Sequence, residues 1–194
     1  MNLSFTLFFL FFMALMATQR VRETFFRKKI KHGRIVKKWT LPVLSTFHFA
    51  VGLGTVVEYF AVQREINLTI TLLGFSMFST AFFLRKWAIK TLGDYHSIHI
   101  EIREEHPLIR EGPYRYIRHP YYLSVIMELL GFPLVANAYY SFLFSLLFYV
   151  PFLYVRVYFE EAAMVEKFGD EYLRYKSYTW GFFPIKLLEK LKNF

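Results

Sequence analysis

Residues 121–159 read YYLSVIMELLGFPLVANAYYSFLFSLLFYVPFLYVRVYF and contain two apolar stretches, Tyr121–Ala136 and Tyr139–Phe159, each with a single charged residue. A helix needs about 20 residues to cross ~30 Å of hydrocarbon, and the first stretch is shorter than that. The connection around Asn137 is so short that the two helices must be antiparallel neighbours. The segment therefore predicts a tight helical hairpin over 121–159, in which the start of the first helix lies beside the end of the second.

Three further apolar stretches precede this hairpin, at approximately Asn2–Thr18, Thr40–Val62 and Asn67–Ile89. The chain of 194 residues is 55% hydrophobic and 21% aromatic, which is more apolar surface than one soluble core requires. The predicted fold class is an all-α integral membrane protein with about five transmembrane helices, a C-terminal helical hairpin and a small cytosolic region. The five phenylalanines between Phe5 and Phe12 are expected to face lipid.

The net charge of +9 is distributed very unevenly along the chain. All but one of the 24 Lys and Arg residues lie in the segments Arg20–Lys38, Arg85–Arg118 and Arg156–Lys192, and the exception is Arg64. Threading through five spans puts those three segments on one side, which the positive-inside rule identifies as cytoplasmic. We therefore expect the N-terminus outside and the C-terminus in the cytoplasm. The membrane would be the plasma membrane in a prokaryote and the endoplasmic reticulum in a eukaryote.

Basic charge in this arrangement indicates membrane lipids rather than nucleic acid as the partner. The loop Arg20–Lys38 is interpreted as a topology determinant that contacts anionic head groups. Because its charges follow the first apolar stretch instead of preceding it, that stretch predicts a retained helix and not a secretory signal. The chain has no cysteine, which excludes disulfides and thiol chemistry.

A polar stretch of unusual density, Gly93–Arg118, lies between the membrane helices. Within it, three isoleucines at positions 98, 100 and 102 alternate with polar residues, a period typical of a short strand. The segment Glu104–Pro107 is expected to turn the chain back through Leu108 and Ile109. The sequence thus predicts a small β-hairpin lid over residues 98–109.

The sequence Arg118-His119-Pro120 leads directly into the first helix of the C-terminal hairpin. Pro120 fits the first helical turn, where a missing N–H costs little, and the preceding residues lie at a helix N-terminus suited to anions. At the other end of the hairpin stand Arg156 and the pair Glu160-Glu161, with Arg156 and Glu160 one turn apart. The antiparallel hairpin should bring His119 and the two glutamates together.

These motifs, taken together, resemble the isoprenylcysteine carboxyl methyltransferase family. The resemblance covers residues 91 to 184 and rests on the run His106-Pro107-Leu108-Ile109-Arg110-Glu111-Gly112-Pro113-Tyr114, on Arg118-His119-Pro120-Tyr121-Tyr122, and on Arg156 through Glu160-Glu161 to Phe168-Gly169-Asp170-Glu171-Tyr172. It divides the chain into a scaffold of three helices and a basic loop, residues 1–90, and a catalytic region, residues 91–194.

The resemblance implies S-adenosylmethionine as cofactor and a lipophilic small molecule or prenylated acceptor that arrives from the membrane. His119 and Tyr122 would hold its methionine part, Glu160 and Glu161 its hydroxyl or amino groups, and Arg156 would orient an acceptor carboxylate. Arg156 and His119 are the implied catalytic residues. The implied cofactor-binding residues are His106, Leu108, Ile109, Gly112, Tyr114, Arg118, His119, Pro120, Tyr122, Glu160 and Glu161.

Methyl transfer to a carboxylate needs no general base, because an α-carboxyl group with a pKa of about 3.5 is already ionised. An amine acceptor would need one, and His119 or a glutamate would serve. Two other functions stay open: a reductase using NADPH, since sterol reductases carry a similar Arg-His-Pro-x-Tyr motif, and a non-catalytic scaffold. His96, His99 and His106 lack a clear fourth ligand for a metal. The roles of His48, Glu58 and Glu128 and the oligomeric state also stay open.

Overall fold

The computed structural model describes residues 3–25, 33–103 and 107–182, and the side chains of all these except residues 20–25. The helices, in chain order, are α1 (Leu3–Phe25), α2 (Thr40–Val62), α3 (Leu68–Leu92), α4 (Pro120–Val135), α5 (Tyr139–Phe144), α6 (Val150–Phe168) and α7 (Asp170–Tyr178). A π-helical turn, Ser145–Tyr149, joins α5 to α6, and the strands are β1 (Arg34–Val36) and β2 (Ile100–Ile102). The shorter 3₁₀ turns are Gly93–Tyr95 and Gly112–Arg115.

The described residues confirm the all-α membrane class. Thr40–Val62, Leu68–Tyr95 and Tyr139–Phe168 are each long and apolar enough to cross a membrane, and Leu3–Gln19 and Pro120–Val135 are apolar but shorter. The helix after Tyr139 continues to Phe168, beyond the predicted end at Phe159. The additional residues 160–168 include charged side chains, so the helix extends past its apolar part. The number of spans and their direction stay predictions.

Helices α3 and α4 make the most extensive contact between the described elements, and two glycines permit their close approach. A Cβ on Gly74 would lie 2.6 Å from the backbone N of Val135, and one on Gly131 would lie 2.8 Å from the carbonyl of Gly74. Small residues of this kind let helix backbones approach within a membrane. The same interface holds an ion pair between Arg85 and Glu128, which are 1% and 2% exposed. The Arg85 charge therefore neutralises the buried carboxylate of Glu128, which gives Glu128 a structural role.

The aromatic residues of α1 divide between two faces. Phe8 and Phe11 are exposed, as the sequence predicts, whereas Phe5, Phe9 and Phe12 are buried. The buried rings pack in one cluster with residues of α2 and α4, including Tyr59 and Phe132. The expectation that all five face lipid is wrong for these three, because their spacing places them on the helix face toward the bundle.

The turn of the C-terminal hairpin is clamped by Glu58 of α2, which is 7% exposed. Its carboxylate accepts hydrogen bonds from the backbone N–H groups of Tyr140 and Ser141, at 3.0 and 2.8 Å, and pairs with Arg64. The Arg64 guanidinium lies 5.1 and 4.7 Å from the ring centroids of Tyr139 and Tyr140. Glu58 thus caps the start of α5, which fixes the position of the hairpin against α2.

The predicted β-hairpin between residues 98–102 and 108–109 is wrong. Strand β2 forms where the alternation predicts it, but it pairs antiparallel with β1, with Ile35 opposite Glu101. The partner comes from the described end of the basic loop, so this loop does more than determine topology. A period of two reveals which face of a strand is buried but not which segment pairs with it.

Candidate functional site

The start of α4 is positioned by the segment that follows α7. The backbone N–H groups of Arg118 and His119 donate to the carbonyls of Trp180 and Gly181, at 2.8 and 3.0 Å. The Arg118 guanidinium also donates to the carbonyl of Thr179. Backbone bonds of this type hold His119 in place before any side-chain contact is made.

His119 lies in a buried charge network with Glu161. Its Nε2 is 3.0 Å from Glu161 Oε1, and the same carboxylate accepts from Arg118 Nε at 2.8 Å and from Lys176 Nζ at 2.6 Å. His119 is 3% exposed, so its ring orientation is set by this network. Glu161 therefore contacts the site through His119 and Arg118. Its carboxylate has three partners, His119, Arg118 and Lys176.

Glu160 lies on the other side of the His119 ring. Its Oε1 is 3.7 Å from His119 Nδ1, and its Oε2 accepts a 2.6 Å hydrogen bond from the Tyr122 hydroxyl. His119 Nδ1 is buried and has no hydrogen-bond partner among the described residues. The hairpin therefore brings His119 and Glu160 together.

Arg156 is fully buried at 2% exposure, but it does not pair as its spacing from Glu160 suggests. Its guanidinium donates to Thr40 Oγ1 and to the carbonyl of Ile98, both at 2.8 Å, and it lies 6.0 Å from the Tyr122 ring centroid. The Nε atom has no hydrogen-bond partner within the described part of the chain. Arg156 thus links α6 to Thr40 of α2 and to the Ile98 backbone just before β2. Its Nε–H is a donor that has no partner among the described residues.

These groups line one cavity of about 500 Å³. We call its polar part the cup; it is formed by Tyr114, Arg118, His119, Tyr122, Arg156, Glu160, Tyr172 and Tyr175. Its apolar part, the arm, is formed by Leu41, Leu44, Ser45, His48, Phe49, Val125, Tyr149 and Leu153. The arm residues belong to the membrane-spanning helices and α4, so the cavity joins a charged rim to an apolar channel.

The strand β2 lines the same cavity and is held by charged side chains. Arg103 donates to the carbonyl of Tyr95 at 2.6 Å and pairs with Glu101, while Lys167 of α6 donates to the carbonyl of Arg103. Burial opposes ionisation of Glu101, but hydrogen bonds from the Gly33 N–H and from Arg103 hold the pKa of its carboxyl below the ordinary value. Glu101 therefore stays charged at neutral pH and keeps the strand in place.

The tyrosines of the cup remain neutral. Burial, followed by the nearby charge of Glu160, raises the pKa of the Tyr114 hydroxyl well above its ordinary value. Burial and the charges of Glu161 and Glu160 likewise raise the pKa of Tyr172. Tyr175 donates to the carbonyl of Tyr114 at 2.6 Å, which holds that residue against α7. The aromatic walls of the cup are therefore uncharged hydrogen-bonding surfaces.

Most of the residues implied by the motif resemblance lie on this cavity. Those that line it are Leu108, Ile109, Tyr114, Arg118, His119, Tyr122, Arg156 and Glu160. Pro120 is buried at the first turn of α4, and Gly112, with φ of 55°, packs against Thr91 of α3. These two and Glu161 are not among the described residues that line the cavity, and His106 lies outside the described residues. The binding role of each residue stays a prediction.

Two contacts of the site were missed from the sequence. Thr40 is the first residue of α2 and is 1% exposed, and the Ile98 carbonyl belongs to the backbone, which carries no sequence signal. For metals, the described ranges contain no group of three or more His, Cys, Asp or Glu side chains placed to hold an ion.

A family model and several relatives match the sequence of this chain. A model of the isoprenylcysteine carboxyl methyltransferase (ICMT) family matches residues 72–166, which include α4, the π-helical turn and most of α6. The uncharacterized protein YpbQ of Bacillus subtilis is 27% identical over 130 residues, 64% of this chain and 74% of that protein. An uncharacterized protein of Haemophilus influenzae is 32% identical over 127 residues, 65% of this chain and 73% of that protein.

A third relative carries a functional name. The protein-S-isoprenylcysteine O-methyltransferase of Schizosaccharomyces pombe is 35% identical over 82 residues, which are 42% of this chain and 34% of that protein. The similarity to this enzyme is therefore local.

Proposed function

Because the chain belongs to the isoprenylcysteine carboxyl methyltransferase family, we propose that it transfers a methyl group from S-adenosylmethionine to a carboxylate on a lipophilic, membrane-borne acceptor. The observation that carries this proposal is the meeting of His119, Glu160 and Arg156 on one cavity that continues into an apolar arm. The polar rim suits a charged cofactor, and the arm suits the hydrocarbon of the acceptor. A prenylated cysteine is one such acceptor.

The cup fits S-adenosylmethionine on three counts. Buried His119 Nδ1 has no hydrogen-bond partner among the described residues and is suited to a polar atom of the methionine part. Glu160 keeps about a third of its side chain exposed, at 32%, and its carboxylate suits hydroxyl or amino donors. Tyr114 offers an aromatic wall that is neutral at physiological pH.

The side chains of the site bind and align, and they need not move a proton. S-adenosylmethionine, when bound, supplies a methyl group on a sulfonium, which passes to an ionised oxygen as the neutral thioether departs. Arg156 would hold that oxygen, because its buried guanidinium lines the same cavity as His119 and Glu160. The strand β2 and Arg103 line the same cavity, and exclusion of water from it would favour the reaction. Alignment in a dry site supplies much of the acceleration for such a displacement.

Tritium transfer from the labelled methyl group of S-adenosylmethionine tests this proposal directly. In membranes containing the protein, we expect label in prenylcysteine analogues or fatty acids that carry a free carboxylate, and none in the corresponding amides or methyl esters. The matched control is Glu160→Gln against Glu166→Gln, since both residues lie on α6 and Glu166 is exposed. Label confined to phospholipid amines, or equal loss in both variants, would contradict the assignment.

A further inference from the structure

Two polar side chains lie deep in the arm, where an apolar tail alone would not need them. His48 of α2 and Tyr149, the last residue of the π-helical turn, both line the cavity, with ring centroids 6.1 Å apart. Tyr149 is 0% exposed. Ionisable and hydroxyl-bearing residues inside a membrane segment are costly to bury and are by default candidates for function.

The helix containing Arg156 places Tyr149 at a defined depth. Tyr149, Leu153, Arg156 and Glu160 all line the cavity, and their spacing of three and four residues puts them on one face. Arg156 is seven residues after Tyr149, which corresponds to about 10 Å along a helix. Tyr149 therefore lies in the arm, about two helical turns below Arg156, whose guanidinium is assigned to the acceptor carboxylate.

The position of His48 along α2 gives it a similar depth below the Arg156 guanidinium. Thr40 is hydrogen-bonded to Arg156 at 2.8 Å, so it lies at the level of the guanidinium. His48 follows Thr40 by eight residues, or about 12 Å along a helix. Ser45, three residues before His48, also lines the cavity and adds a hydroxyl on the same face. Two helices thus bring hydrogen-bonding groups together at one level, about 10 Å below the cup.

The π-helical turn supports a functional interpretation of this level. It interrupts the regular α-helix at Ser145–Tyr149, and Tyr149 stands at its end. Such turns are rare, and they occur frequently at functional sites. The extra residue in this turn shifts the phase of α5 relative to the cavity-lining face that Tyr149 shares with α6.

We infer that His48 and Tyr149, with Ser45, form a second polar subsite that binds a hydroxyl or carbonyl oxygen carried on the acceptor about 10 Å from its methylated group. This inference rests on the proposed function, which identifies the methylated end of the acceptor as a carboxylate. Imidazole and phenol groups donate and accept hydrogen bonds, which matches an oxygen function on an otherwise apolar chain. The preferred acceptor is therefore an oxygenated lipophile and not a plain hydrocarbon tail.

The test compares three ligands of the purified full chain in detergent: stearic acid, stearic acid hydroxylated near mid-chain, and stearic acid hydroxylated at its terminal carbon. We expect the mid-chain alcohol to bind roughly two- to tenfold more tightly than stearic acid, the range that one net hydrogen bond gives. The terminal alcohol should show no such gain. Dissociation constants come from the concentration dependence of thermal stabilisation.

Variants separate the subsite from the effects of detergent partitioning. Tyr149→Phe keeps the ring and removes the hydroxyl, and His48→Leu removes the imidazole; each should reduce the mid-chain preference, and the double variant should abolish it. A preference that survives in the double variant, or is absent from the wild-type chain, would show that the two rings are only a contact between helices. Binding of S-adenosylhomocysteine is measured in the same samples, so that its failure would overturn the proposed function without deciding the subsite.

Discussion

Replacing His119 by alanine is expected to weaken the binding of S-adenosylmethionine and S-adenosylhomocysteine by about 10- to 100-fold. A hydrogen bond to a charged group contributes about 1.5–3 kcal/mol, which corresponds to that range. The variant removes the buried Nδ1 that faces the cavity, and it also leaves Glu161 with Arg118 and Lys176 as its remaining partners. Isothermal titration of the purified chain with S-adenosylhomocysteine measures the change.

The appropriate control for His119 is a variant that alters charge near the same membrane surface without touching the cavity. Lys38→Ala is suitable because Lys38 is exposed and precedes α2. It should bind S-adenosylhomocysteine as the wild-type chain does. Equal losses in the two variants would mean that the cofactor is held elsewhere.

Replacing Arg156 by lysine is expected to lower kcat/KM for the carboxylate acceptor at least roughly thirtyfold, while binding of S-adenosylhomocysteine is retained. Loss of one partner from a buried, hydrogen-bonded charge pair costs about 2 kcal/mol or more. The guanidinium reaches Thr40 and Ile98 at once and still has Nε available, a geometry that a lysine ammonium cannot reproduce. Initial rates over a range of acceptor concentrations, at saturating S-adenosylmethionine, measure the loss.

Thr40→Val provides the matched control for Arg156. It removes one hydrogen bond of the guanidinium but leaves its charge in the cavity. We expect a smaller fall in kcat/KM than for Arg156→Lys. A larger effect of Thr40→Val would indicate that Arg156 serves mainly to hold α2, and that another group binds the acceptor.

The helices and their hairpin could be predicted because hydrophobicity and helix length are local properties. Thr40–Val62 was predicted with the bounds that the structure shows, and Asn67–Ile89 and Tyr121–Ala136 lie within a few residues of α3 and α4. The proximity of His119 and Glu160 followed from the short connection at Asn137 alone. Each of these features depends on neighbours in the sequence or on a single tight turn.

The partners of individual polar groups could not be predicted in this way. Strand β2 pairs with β1, more than sixty residues earlier, and nothing in its alternation identifies that segment. Arg156 donates to Thr40 and to the Ile98 carbonyl, although helical spacing favoured Glu160. Glu161 is one residue from Glu160 and contacts His119, yet it is not among the described residues that line the cavity. Long-range packing decides these contacts.

The most direct test of the cup as an S-adenosylmethionine site is its choice between two cofactors. The purified full chain is heated in detergent with S-adenosylhomocysteine or with NADPH, because a ligand that binds the native state raises the unfolding temperature. At a hundredfold excess over the dissociation constant the stabilisation is about 2.7 kcal/mol. We predict a clear rise with S-adenosylhomocysteine and none with NADPH. Stabilisation by NADPH alone would contradict the account and favour a membrane reductase.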